Sequence, residues 1–176
     1  MSSLGDGVYY SRSDYAGVGR RLVILMIDGV VTLVFLVVLL LSFLSLAPDS
    51  RRALDLHLLA FVSATFMYLA VLARTEWGTL GYKLTGVRVV NLNGQVPTLG
   101  SMAYRTLFAL LGPVNALMDI VWVGGDPNAQ SVRDKLAGTY IVRRSAAPAG
   151  RARIRRVTLS VFGYILMVHE VGRDVT

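Results

Sequence analysis

The chain has 176 residues, 54% of them hydrophobic and only 16% charged, with a mean hydropathy of +0.56. A soluble domain needs more surface charge than this, so the composition reads as a single-domain integral membrane protein. There is no Cys, which excludes disulfides and thiolate metal sites, and the two His, at 57 and 169, lie too far apart to argue for a metal.

The net charge of +7 is concentrated: between Arg133 and Arg156 lie eight Lys/Arg and one acid, Asp134. In a membrane protein such a stretch first implies orientation and contact with a bilayer carrying anionic headgroups. Arg143, Arg144, Arg151, Arg153, Arg155 and Arg156 are the expected headgroup contacts. Nucleic acid is a disfavoured partner, because no reading module accompanies the charge.

Residues 1–19 are polar, rich in Gly and Tyr, and expected to be irregular. They do not form a secretory signal: the apolar run that follows, 22–47, has 26 residues, longer than a signal core. At 1.5 Å per residue this run reaches about 39 Å, enough for a first span. It is preceded by Arg20 and Arg21 and interrupted by Asp28. A charge at that depth costs roughly 2.5–3.5 kcal/mol on insertion scales. Arg21 and Asp28 are seven residues apart, on one helix face but about 10.5 Å apart along the axis, so they cannot pair directly. Arg21 is expected to snorkel to a phosphate. Asp28 must find a donor elsewhere or carry a proton. It reads either as a lock between helices or as a transport group.

Pro48-Asp49-Ser50 ends the first span, and a second is expected over about 54–73, with Ser63, Thr65 and Tyr68 as a polar stripe for helix packing. Residues 74–100 leave the membrane. A short strand is expected at Val87–Asn91, a tight turn at Asn93-Gly94 and a helix N-cap at Thr98. The third apolar run, 102–123, contains Gly112-Pro113. If it crossed fully, the eight cations would lie outside, against the positive-inside rule. A helical hairpin broken at Gly112-Pro113 keeps them inside and is favoured over a third span. Arg105 and Asp119 then lie on its two arms, and an Asp28–Arg105 or Arg21–Asp119 pair is expected.

Residues 131–139 read as a short helical turn entering a strand. Asp134 in that turn is either a local cap or ion pair, or a clasp to the basic ends of the spans. Thr139–Arg143 resembles the strand at 87–90, and pairing would put both on one side. Residues 145–150 form a linker, and the apolar stretch 157–168 is too short to cross, so an interfacial or docking segment is expected. No nucleophile–base arrangement, phosphate loop or metal-ligand spacing is present. Neither an enzyme nor a cofactor is implied.

Three pieces recur in order: Arg20-Arg21 followed by Ile27-Asp28; Gly81-Tyr82-Lys83-Leu84-Thr85-Gly86-Val87-Arg88-Val89-Val90; and Val132-Arg133-Asp134-Lys135-Leu136-Ala137-Gly138-Thr139-Tyr140-Ile141-Val142. With them the chain resembles the RDD family of small bacterial membrane proteins, named for one arginine and two aspartates. By that resemblance Arg21 (or Arg20), Asp28 and Asp134 are the name-giving residues. The resemblance implies a membrane protein with suggested transport of unidentified ligands and, for some members, ion–proton exchange.

The expected architecture is therefore mainly α and integral to the membrane. It comprises two transmembrane helices, a Gly-Pro-broken hairpin (or third span), a small cytoplasmic two-strand β element and a basic C-terminal tail. The segments are 1–19, 20–144 and 145–176. The expected location is the bacterial cytoplasmic (inner) membrane with both termini cytoplasmic. The expected role is a transport component for a small ligand or ion, proton-linked through Asp28. The alternative is an accessory or scaffolding subunit of a larger complex. Either way the chain is expected to act as a homo-oligomer or as one subunit of a membrane complex.

Overall fold

The structure is a computed structural model and describes residues 5–46, 48–110, 113–161 and 164–172. Helix α1 spans Val18–Leu46. A second helical run, Arg51–Arg74, follows. It begins as α2 (Arg51–Phe66), passes through a π turn at Met67–Val71 and ends in a 3-10 turn at Leu72–Arg74. Both runs are long and apolar enough to cross a bilayer by length and composition. Ser50 caps α2, its Oγ accepting from the Ala53 amide at 3.2 Å.

α1 buries only Arg21, Ile24 and Asp28, a spacing that falls on one helical face. Beyond Asp28 its large side chains point outward; Val30, Leu33, Val38, Leu41 and Leu44 are each more than half exposed. The sheets and short helices are thus built against the first three turns of α1, while further along α1 the second long helix lies beside it, with Phe35 edge-on to Tyr68 and Phe43 to His57.

The third apolar run forms two helices, α4 (Leu99–Leu110) and α5 (Pro113–Gly125). Of the expected break at Gly112-Pro113, Gly112 lies outside the described residues. Pro113 opens α5, a position where a missing N–H costs nothing. Thr98 starts α4, with its Oγ1 accepting from the Ser101 amide at 3.2 Å. α4 packs on the π turn and α5 on α1.

Two helix–strand units carry the site. The first is α3 (Leu80–Thr85), Gly86 and β2 (Val87–Asn91). The second is α6 (Val132–Ala137), Gly138 and β3 (Thr139–Arg143). Each helix has a hydroxyl N-cap, Thr79 or Ser131, and each ends on a glycine in the left-handed region, φ +66° at Gly86 and +62° at Gly138. That conformation favours glycine and turns the chain straight into the strand. The units match at Lys83/Lys135, Leu84/Leu136, Gly86/Gly138 and Val90/Val142, each 52 residues apart. β2 and β3 pair antiparallel with Val89 opposite Ile141, so equivalent residues face one another at the centre of a local two-fold.

This ribbon is buried on both faces. Val87, Val89 and Ile141 join Ile24, Ala70, Tyr82 and Met102 on the helical side. Val90, Tyr140 and Val142 join Val8, Tyr10, Tyr15 and Val171 on the other. The second layer is a sheet of order β1-β4-β5, made of β1 (Asp6–Tyr9), β4 (Gly150–Val161) and β5 (Tyr164–Val171). Two expectations are corrected here. The N-terminal segment is not irregular: Asp6–Tyr9 pairs with residues 150–153 of β4. The stretch 157–168, expected as an interfacial or docking segment, is not isolated: its described residues, 157–161 and 164–168, belong to two paired strands, Val157 opposite Val168. The physical reason lies in period-2 alternation, with Ala152 and Ile154 turned to the core and Arg151, Arg153 and Arg155 exposed. Twelve residues are too few for a span and ample for a strand.

Candidate functional site

α6 presents Asp134. Ser131 and Asp134 form a reciprocal capping box: the Asp134 amide donates to Ser131 Oγ at 3.3 Å, and the Ser131 amide to Asp134 Oδ2 at 3.2 Å. The same carboxylate receives two arginines. Arg21 Nη1 of α1 lies 2.6 Å from Oδ2, and Arg105 Nη1 of α4 pairs with Oδ1. Arg105 also donates to Thr139 Oγ1 at 2.6 Å and to the Tyr82 hydroxyl at 3.4 Å, so it touches both helix–strand units. Arg21 is tied further to the Ala16 carbonyl at 2.9 Å and the Ala129 carbonyl at 2.7 Å. Ala129 adopts φ +48°, the positive-φ non-glycine residue among those described. Asp126 holds that turn by accepting from the Asn128 and Gln130 amides.

All three members of the clasp are buried, Asp134 completely. Burial alone would raise the Asp134 pKa, but Arg105, Arg21 and Arg133 together with the Ser131 amide hold it well below the usual carboxylate range. Its neighbour Lys135 is buried as well, 2.5 Å from Asp126 Oδ2 and ion-paired with Glu170 of β5. The C-terminal sheet is thereby fastened to the same helix.

Asp28 is held differently. Its Oδ1 accepts from the Tyr68 hydroxyl at 2.7 Å and the Gly81 amide at 2.9 Å, and its Oδ2 from Thr79 Oγ1 at 2.8 Å. Tyr68 sits on the π turn and its oxygen also accepts from the Leu80 amide at 2.9 Å. A β-carbon at Gly81 would stand 2.9 Å from the carboxylate, so only glycine permits this approach. Among the described residues no cationic side chain lies within ion-pair distance of Asp28.

Asp119, buried on α5, occupies the equivalent seat in the second unit. Its Oδ1 accepts from the Arg133 amide at 3.3 Å, the counterpart of Gly81, and its Oδ2 lies 2.7 Å from Arg133 Nε. The expected Asp28–Arg105 and Arg21–Asp119 pairs do not form. Asp134 stands between the two arginines and takes both, while backbone amides at the starts of α3 and α6 take the other two acids. Arg21 and Asp119 do share the wall of a small cleft with Ser131 and Arg133, of about 10 Å3, room for one water at most.

Arg21, not Arg20, enters the clasp. Arg20 is half-buried and makes no ion pair among the described residues. Because Arg21 is buried and pinned, it does not snorkel to a phosphate as expected. The arginines expected at headgroups, Arg143, Arg144, Arg151, Arg153, Arg155 and Arg156, are all exposed, on or just beyond β3 and on β4.

Residues 15–138 match the RDD family. The chain belongs to that family. The matched region runs from Tyr15, just before Arg21, through the C-cap glycine of α6, and so contains the clasp, both seated acids and both short helices of the RDD chain. No curated protein and no solved structure matches it. Sequence reasoning missed Tyr68, Thr79, Gly81 and Thr139 as partners of the RDD residues. One signal pointed to two of them: the 52-residue offset places Thr79 opposite the N-cap Ser131 and Gly81 opposite Arg133.

Proposed function

We propose that this RDD-family membrane protein is a transport component in which Asp28 carries the exchangeable charge. The observation that carries the reading is the shell of Asp28: two hydroxyls and one amide, with no cation among the described residues. A purely structural carboxylate at such depth is better served by a neutralising partner, as Asp134 is. Hydroxyls both donate and accept, so Tyr68 and Thr79 can reorient when a proton or small cation is taken up. Two long helices and a helical pair make thin walls, so a pathway requires several copies or other subunits. The pairing of β1 with β4 supports both chain ends lying on one side, and the positive-inside rule makes that side the cytosol of a bacterial inner membrane.

The test is Asp28→Asn in proteoliposomes, with thermal unfolding in detergent as a fold control. Proton- or cation-linked flux is expected to fall at least tenfold while the protein still folds. Unchanged flux in a folded variant overturns the reading. A second reading, a non-catalytic scaffolding subunit of a larger complex, is favoured by the fully internal Arg21–Asp134–Arg105 clasp and the arginine-bearing terminal sheet. Purification in mild detergent followed by mass spectrometry separates the two: co-purifying subunits favour the scaffold, and a homo-oligomer favours transport.

A further inference from the structure

The second long apolar helix runs directly into an exposed apolar surface. Trp77 is 71% exposed, Leu84 66% and Leu80 45%. Leu80 and Leu84 are four residues apart on α3, while Gly81 and Tyr82 on its opposite side are buried. α3 is not free to drift from the bilayer, because its first turn is bonded to Asp28, two turns inside the apolar run of α1. The tether sets these leucines near the level of Asp28 in the apolar run of α1.

Cations ring the same patch. Lys83 Nζ lies 5.5 Å from the Trp77 ring centroid, within cation–π range. The Arg144 guanidinium is folded beneath the turn, with Nη2 donating to the Trp77 carbonyl at 2.9 Å and Nε to the Val87 carbonyl at 3.3 Å. Those acceptors are neutral, so its charge remains. Neither Lys83 nor Arg144 forms an ion pair among the described residues, and the one acid of the turn, Glu76, is exposed and pairs with neither. An aromatic ring at headgroup level beside unneutralised cations, with leucines below, matches an anionic phospholipid: phosphate above, acyl chain beneath.

We propose that Trp77, Leu80, Leu84, Lys83 and Arg144 form a seat for an anionic phospholipid of the leaflet nearest the chain ends. The lipid packs an acyl chain over the two leucines and sets its phosphate between Lys83 and Arg144. The site stands apart from Asp28 and does not depend on transport.

The test uses the full chain in nanodiscs of mixed phosphatidylglycerol and phosphatidylcholine, with native mass spectrometry of the lipids retained on release. Wild type is expected to retain phosphatidylglycerol several-fold over phosphatidylcholine. The ratio is expected to fall toward one in Lys83→Gln combined with Arg144→Gln. Lys83→Gln alone, which breaks no hydrogen bond seen here, gives an intermediate value and guards against misfolding of the double variant. Equal retention in wild type, or an unchanged ratio in both variants, overturns the proposal. In a Trp122→Phe background Trp77 reports alone: quenching by nitroxide lipids labelled near the glycerol is expected, whereas quenching by aqueous iodide only refutes the seat.

Discussion

The two helix–strand units share a backbone, a cap and a glycine stop, and each receives an aspartate on the second amide of its helix. They differ in what surrounds that aspartate. In the second unit the equivalent residue is Arg133, whose side chain folds back to neutralise Asp119, and the third helical position is Asp134, itself held by two arginines. In the first unit those positions are Gly81 and Tyr82, and among the described residues Asp28 meets only neutral donors. One unit has become an electrostatic fastening; the other keeps a carboxylate whose charge is not cancelled. The comparison teaches that a shared fold does not fix the role of a seated acid; the side chain at the seat does.

The largest effect should come from the second unit. Asp134→Ala leaves Arg21 and Arg105 buried without a counter-charge and is expected to destabilise by about 3–5 kcal/mol, read by thermal unfolding in detergent. A cost below about 1 kcal/mol would show that the clasp is not what holds α1, α4 and α6 together. The same carboxylate sets a pH response. Its folded pKa is depressed, so its stabilisation is complete above the ordinary carboxylate range and is lost as pH falls through the folded value. Asp134→Asn should flatten that acid limb.

Next in size are the caps. Thr79→Ala removes both a cap and a donor to Asp28, and about 2–3 kcal/mol is expected; Ser131→Ala removes a cap, about 1 kcal/mol. In an Asp28→Asn background the excess of Thr79→Ala over Ser131→Ala should shrink, since the coupling runs through the carboxylate. An excess that persists would separate Thr79 from Asp28. Between the two caps in size lies a steric effect: Gly81→Ala forces the carboxylate back and is expected to cost about 1–2 kcal/mol. A neutral outcome would mean Asp28 sits less tightly on α3 than described.

Much of this frame was legible in the residues. Length and hydropathy marked both long helices, Pro113 marked the start of α5, and β-branched residues beside Asn93-Gly94 marked β2. The partners of the charges were less legible. Opposite charges suggested Asp28 with Arg105, but pairing is decided by which backbone amides come to hand, and Gly81 carries no side chain to advertise a binding role. The β1–β4 pairing escaped because those strands are separated by most of the chain, and pairing across such a distance leaves no local periodic mark at β1. The Arg-Ala-Arg-Ile-Arg alternation at 151–155 was the available signal, outweighed by its charge.

The union of β1 with β4 has a consequence for biogenesis. Asp6–Tyr9 is translated before both long helices, yet the strand it joins is translated after them. The loop to be closed is about the length of the protein, a slow step of high contact order. Until then the edge of β1 that faces β4 stays unpaired, so this sheet closes only after the helical part of the chain has been made.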